Sequence, residues 1–148
     1  MKLLLINGAN LNMLGQREPE KYGTLTLQDI ENLVKEKAAN LGVEIDSWQS
    51  NFEGEIVEKI QQAKDYYDGI LINAGGYTHT SVVIRDAISA VNIPTVEVHM
   101  TNIYAREDFR HNSYLSGVCI ATIAGFGVNS YLYGLEGLVK YLNNCKNL

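Results

Sequence analysis

Glu97 and His99 stand two residues apart in a run of β-type residues, so their side chains leave one face of a strand. A carboxylate beside an imidazole orients the ring, fixes its tautomer and favours its protonated form. That suits a general acid, although a satisfied structural pair would have the same spacing. Tyr22 lies in a polar stretch with Arg17 and Lys21 close by in sequence. A loop tyrosine is ordinarily an amphipathic surface residue, but cationic neighbours favour phenolate over phenol. A free tyrosine titrates near ~10, so a tyrosine base at neutral pH needs roughly 3–4 kcal/mol of preferential stabilisation of its anion. Two guanidinium groups in a water-poor site supply energies of that order.

Other residue types add to this acid–base pattern. His79 follows Gly75-Gly76, near a helix start whose free amides attract anionic or hydroxyl-rich groups; taken alone, it reads equally as a capping or packing residue. Arg106 and Arg110 are four apart, with Glu107 and Asp108 between them, so a helical stretch would put both on one face. A solvated charged face is the default for such a pair. Their place just after the His99 strand end favours recognition of substrate oxygens. His111 has no comparable setting and receives no role.

The elements that must hold these residues follow from periodicity. Residues 2–7, 43–48, 69–73, 94–98 and 118–124 read as five strands. Between them, Leu27, Ile30, Val34, Ala38 and Leu41 recur at helical spacing, with Thr26 and Asp29 as a capping box and Gly42 to close the helix. Ile56, Ile60 and Ala63 define a second helix, with Glu53 and Glu55 near its positive end. A third begins near Thr80 and carries Val83, Ala87 and Val91. The last uses Leu132, Leu135, Val139 and Leu142, capped by Asn129 or Ser130. Alternating strands and helices predict an α/β fold: a flavodoxin-like, doubly wound, five-stranded parallel sheet in three layers, one domain over residues 1–148. In such folds ligands sit at the carboxyl ends of the strands. Those ends are dense in polar groups here, at 7–12, 73–81 and 97–102. The connection after the first strand runs about eighteen residues, longer than the usual few, which marks a lid or binding loop.

Composition narrows the function. The chain has 148 residues, 46% hydrophobic and 20% charged, with net charge -5 and pI ≈ 5.1. An acidic balance argues against a broad nucleic-acid-binding face but leaves room for arginines that hold one small anion. No apolar run approaches the ~20 residues that span a bilayer, so no membrane role is expected. The opening Leu-Leu-Leu-Ile runs straight into Asn7-Gly8 and reads as a first strand rather than a secretion signal. Cys119 and Cys145 have no spacing that makes a disulfide framework or zinc site, consistent with a reduced, cytoplasmic protein. There is no G-x-S-x-G elbow, Walker A loop or H-E-x-x-H. Three histidines without paired spacing argue against zinc. Gly125 to Ser130 is a poor dinucleotide fingerprint, lacking the third glycine, and reads as a tight turn.

The segments LLLINGANLNMLGQREPEKYG, NAGGYTHTSVVIRDAI and VEVHMTNIYAREDFRHNS, in this order and spacing, resemble the type II 3-dehydroquinate dehydratases over essentially the whole chain. That resemblance implies a lyase of the shikimate pathway, or of quinate breakdown, working without metal or organic cofactor. It makes Tyr22 the base that removes a proton from C2 of 3-dehydroquinate, with Arg17 keeping it poised and stabilising the transition state. An enolate would form, stabilised by a water held by Asn10. His99, supported by Glu97, would protonate the departing C1 hydroxyl, giving 3-dehydroshikimate. Asn73, His79 and Arg110 match contacts to the ring hydroxyls, the amides around Met100 and Thr101 match a carboxylate cradle, and Arg106 matches a second loop arginine. Asp86 matches a residue that reaches a neighbouring subunit's site. Members of the family assemble as trimers packed into a dodecamer. The chemistry agrees with the residue reading, since removing a proton beside a ketone needs a base and expelling hydroxide needs an acid.

The chain also departs from the family pattern. Ala9 stands where N-G-P-N is usual, Ala74 and Gly76 where N-P-G-A is usual, and Thr101 where serine is common. Fewer prolines and an added glycine are expected to loosen these turns, with more effect on loop order or turnover than on reaction type. Two further readings stand beside this one. A non-catalytic module could hold FMN or another phosphate at the same rim, although no phosphate-cradling loop follows the first strand. A hydrolase could use Ser81 with His79 and Asp86, although no nucleophile elbow surrounds that serine.

Overall fold

A computed structural model describes residues 1–16 and 18–146. The strands β1 (Lys2–Asn7), β2 (Glu44–Gln49), β3 (Gly69–Asn73), β4 (Thr95–His99) and β5 (Ala121–Ala124) pair in parallel in the order β2-β1-β3-β4-β5. This is the flavodoxin-like order, in which the winding reverses between β1 and β3 and opens a crevice at their carboxyl ends. The helices are α1 (Pro19–Tyr22), α2 (Leu27–Asn40), α3 (Glu53–Ala63), α4 (Val82–Val91) and α5 (Val128–Lys146).

Alternation along the strands decides which helices cover which face. Leu3, Leu5, Leu71, Val96 and Val98 pack with Ile30 and Val34 of α2 and Leu135 and Leu138 of α5. Leu4, Ile6, Ile70 and Ile72 pack on the other side with Ile56 and Ile60 of α3 and Ile84 and Ile88 of α4. A strand buried on both faces needs an unbroken apolar run, which is why β1 and β3 show no alternation in sequence. The capping box of α2 is present: Thr26 Oγ1 accepts the Asp29 N–H at 3.1 Å, and the Asp29 carboxylate accepts the Thr26 N–H at 3.0 Å.

Several expected boundaries move. Strands β2 and β4 each start one residue later than periodicity predicts. Strand β5 starts at Ala121, because Ser116–Val118 winds into a 3-10 turn and leaves Cys119 before the strand rather than in it. Helix α4 starts at Val82, capped by Ser81, whose Oγ accepts the Ile84 N–H at 3.0 Å. Its buried face is Ile84, Ala87 and Ile88, while Val83 is exposed. Adjacent β-branched residues at 82–84 hide that phase in the sequence. Asn129 and Ser130 lie inside the first turn of α5 instead of capping it, and Ser130 Oγ accepts the N–H of Phe126 at 2.9 Å. The connection after β1 is partly ordered into a 3-10 turn at Leu11–Met13 and the single turn of α1, with Pro19 at its first position. Cys119 and Cys145 are free. No helix among the described residues is long and apolar enough to cross a membrane.

The turns after β1 and β3 meet backbone to backbone. The Gly8 N–H donates to the Asn73 carbonyl at 2.8 Å, and a Cβ on Gly8 would lie 2.3 Å from the Ala74 carbonyl oxygen. Gly75 holds φ +63, and a Cβ there would lie 2.7 Å from the carbonyl oxygen of Ala9. This contact limits how far Ala9 and Ala74 can loosen the two turns. Gly8→Ala is therefore expected to lower stability by about 1–3 kcal/mol, the usual cost of overpacking. Gly54→Ala, in α3 with open space around it, should raise stability by roughly 0.5–1 kcal/mol. Thermal unfolding of the two variants checks this, and equal melting temperatures would contradict it.

Candidate active site

The carboxyl ends of β1, β3 and β4 open onto a cavity of about 110 Å³. Strand β4 carries Glu97 and His99 at its end. Glu97 is fully buried (0% exposed) and its carboxylate is hydrogen-bonded to Nε2 of His99, itself 4% exposed. Behind them, the chain returns from the Asp108–Arg110 turn to β5 and brings hydroxyls onto the same carboxylate. Ser113 Oγ donates at 2.8 Å to Oε2, and Ser116 Oγ at 2.7 Å to Oε1. Burial alone would raise the Glu97 carboxyl, but hydrogen bonds from His99, Ser116 and Ser113 outweigh it and leave it below the usual carboxylate range. Burial also pushes the Cys119 thiol up to about 12, and the Glu97 charge adds to this, so that sulfur stays an unreactive thiol.

The phenol end is built from α1 and the segment after β4. Tyr22 is half-buried, packed against the core between the sheet and α2 and α5. Arg106 reaches across to it: Nη1 donates to Tyr22 Oη at 2.8 Å and to Thr101 Oγ1 at 3.3 Å, with Cζ 5.5 Å from the ring centre. Arg106 Nε is buried with no hydrogen-bond partner among the described residues. The helical stretch that would place Arg106 and Arg110 on one face is not formed. Two 3-10 turns, Ile103–Ala105 and Asp108–Arg110, flank an extended Arg106 (φ -113, ψ -163), and both arginines still reach the cavity because the chain bends around its rim.

The third wall comes from β3 and the turn after it. Asn73 Nδ2 donates to Tyr131 Oη at 2.8 Å, Tyr131 donates to Asn7 Oδ1 at 2.7 Å, and Asn73 Oδ1 accepts the Gly75 N–H at 3.1 Å. Its amide is thereby oriented from inside the core. The His79 ring stacks on His99 with centroids 6.3 Å apart, and its Nδ1 bonds the Asn112 carbonyl oxygen at 2.8 Å. Burial holds the His79 imidazole below its usual range despite that carbonyl, and His99 and Arg110 push the same way.

Most residues singled out in the sequence thus meet at one place. Asn10, Tyr22, Asn73 and His79 line the cavity with His99, Met100, Thr101, Arg106 and Arg110. Glu97 stands behind His99. Asp86 is exposed on α4 and does not line this cavity. Arg17 lies outside the described residues. The hydrolase grouping does not form, since Ser81 is 1% exposed and its oxygen caps α4. Sequence reasoning missed Ser113, Ser116, Tyr131 and Asn7, and the apolar wall of Leu11, Leu14 and Ile103. A polar Asn7 closing an apolar strand was the available signal for the buried amide network; nothing marked the serines.

Fold and site together define a flavodoxin-like α/β protein with imidazole, phenol, amide and guanidinium side chains gathered at its strand ends. The family described as dehydroquinase class II matches residues 1–139, and the chain belongs to that family. It is similar to the 3-dehydroquinate dehydratase of Trichodesmium erythraeum, 56% identical over 142 residues, 96% of this chain and 95% of that one. The 3-dehydroquinate dehydratase of Nostoc sp. is likewise 56% identical over 142 residues, covering 96% of this chain and 97% of its own. A crystal structure of type II dehydroquinase from Butyrivibrio crossotus shares 44% identity and superposes with TM-score 0.92, covering 93% of this chain and 97% of that chain.

The lowered Glu97 carboxyl predicts a pH dependence of stability. A carboxyl lower in the folded than in the unfolded state contributes stability above the ordinary carboxylate range, and that stability is lost as pH falls through the folded value. The half-buried His79, held low, acts in the same direction, because the unfolded chain protonates first as pH falls. Glu97→Gln should therefore be less stable than the parent at neutral pH, with the gap closing as the solution is acidified past the glutamate range. Urea unfolding across pH reads this directly; a gap independent of pH would contradict it.

Proposed function

We propose that this chain is a 3-dehydroquinate dehydratase, eliminating water from 3-dehydroquinate to give 3-dehydroshikimate in the shikimate pathway. The observation that carries the reading is the meeting of the Tyr22 phenol oxygen, held by Arg106, with the buried His99–Glu97 pair in one cavity. The phenol oxygen takes the C2 proton, and the guanidinium donating to it stabilises the negative charge that makes it a base. The resulting enolate is stabilised by a water held by Asn10. His99 then gives a proton to the C1 hydroxyl, which leaves as water, while Glu97 balances the charge on the ring.

The remaining lining groups hold the substrate. Asn73, His79 and Arg110 contact ring hydroxyls, and the backbone amides at Met100 and Thr101 hold the carboxylate. Arg106 Nε, a buried donor without a protein partner among the described residues, supports oxygen binding at this wall. Arg17, outside the described residues, would add a second guanidinium next to the base. In this reading the chain is one catalytic domain, cytoplasmic, and assembles with copies of itself into trimers and a dodecamer. In the same reading Asp86, exposed on α4, is the residue that would reach a neighbouring copy's cavity.

Purified protein mixed with 3-dehydroquinate should develop the ultraviolet absorbance of a conjugated enone. Tyr22→Phe should lower kcat by about 100-fold or more, the usual contribution of a general base, while the fold and the binding of a product analogue persist. A fully active Tyr22→Phe enzyme would remove the proposed base, and no enone from the parent protein would remove the reaction.

A further inference from the structure

Three hydroxyls outside the cavity wall converge on the Glu97 carboxylate. Ser113 Oγ lies 3.0 Å from Oε1 and 2.8 Å from Oε2, and Ser116 Oγ lies 2.7 Å from Oε1. Thr122, opposite Glu97 in the β4–β5 register, stands 3.5 Å from Oε1 and donates to Ser116 Oγ at 3.2 Å. The direction of these bonds is settled by counting. Ser113 Oγ accepts the backbone N–H groups of Leu115 at 3.0 Å and Ser116 at 3.1 Å. A hydroxyl has two lone pairs and one hydrogen, so both lone pairs of Ser113 are used in its own turn, and its hydrogen goes to Glu97. Ser116 Oγ, 3.2 Å from Thr122 Oγ1, sends its hydrogen to Glu97 Oε1, its closer contact at 2.7 Å. With these donors around it Glu97 is held as the ionised acceptor, which favours Nε2 of His99 as the carrier of the shared proton.

We propose that Ser113 and Ser116 are positioning residues: they clamp the Glu97 carboxylate, hold His99 with its Nε2–H on that carboxylate, and leave Nδ1 as the nitrogen that delivers the proton. The doubly protonated ring passes its Nδ1 proton to the C1 hydroxyl, the C–O bond breaks, water leaves, and the neutral ring remains with Nε2–H on Glu97. This delivery step rests on the dehydratase reading, whereas the tautomer does not. The same segment carries Arg110 and the Asn112 carbonyl that holds His79, so the clamp also sets where that wall stands against β4. The ionisable groups facing Glu97 are His99 on its own strand, His79 from the turn after β3, and Cys119 before β5.

Ser113→Ala should lower kcat roughly tenfold, as expected for loss of a hydrogen bond to a charged group, with KM little changed. Ser113→Thr, which keeps the hydroxyl, should restore kcat. In nitrogen-15 spectra of histidine-labelled protein at alkaline pH, His99 should show the Nε2–H tautomer, and Ser113→Ala/Ser116→Ala should mix the two tautomers. A folded Ser113→Ala enzyme with parental kcat would overturn the proposal. So would a parental His99 in the Nδ1–H tautomer, or a kcat loss that threonine does not repair. Should Ser113→Ala fail to fold, Ser116→Ala carries the same readouts. If the parent does not dehydrate 3-dehydroquinate, the activity reading falls while the tautomer still decides the clamp.

Discussion

One buried negative charge organises this site. A carboxylate with no solvent exposure is costly unless it is paired and hydrogen-bonded, and Glu97 meets that demand with an imidazole on one side and serine hydroxyls on the other. The demand shapes the chain well beyond β4. The segment from Arg106 to Cys119 must turn back so that Ser113 and Ser116 reach the carboxylate, and this leaves β5 as a short edge strand beginning only at Ala121. Arg106, Arg110 and Asn112 are carried on the same return, so satisfying one charge also builds a wall of the cavity.

The opposite wall depends on a different constraint, the reversal of winding between β1 and β3. There two turns meet so closely that Gly8 and Gly75 leave no room for a side chain, and Asn10 and Asn73 are held on either side of the contact. Tyr131, buried on α5, reaches under the sheet ends to both Asn7 and Asn73. The amide facing the cavity is therefore aimed by the core. Tyr22 belongs to the same layer, packing against the α2–α5 side, so the phenol and the Asn73 amide share a support while the imidazole of His99 rests on another. The two ends of the proposed elimination are in this way held by independent parts of the fold.

Much of this was legible in the residues alone. The strands β1 and β3 have the expected bounds, and the capping box of α2 is formed by the expected pair. Glu97 and His99 share a face because strand geometry allows no other outcome at that spacing. The phase of α4 was not legible, since Val82, Val83 and Ile84 are equally apolar and only the contact with α3 selects Ile84. Nor was the fold of the Arg106–Arg110 stretch, where a four-residue spacing reads as helix but the chain forms two separate turns. The guanidinium described at the phenol is that of Arg106, 84 residues away in sequence, which no local pattern can pair with Tyr22.

By itself the sequence determined the order of strands and helices, the set of side chains able to move protons or hold oxygens, and their concentration at strand ends. These follow from local periodicity and residue chemistry, which act over a few residues. Tertiary structure decided which arginine touches the phenol, which hydroxyls hold Glu97, and which nitrogen of His99 is bound to it. Such pairings depend on chain segments meeting through packing and burial, and the strength of each bond depends on the water excluded when they do.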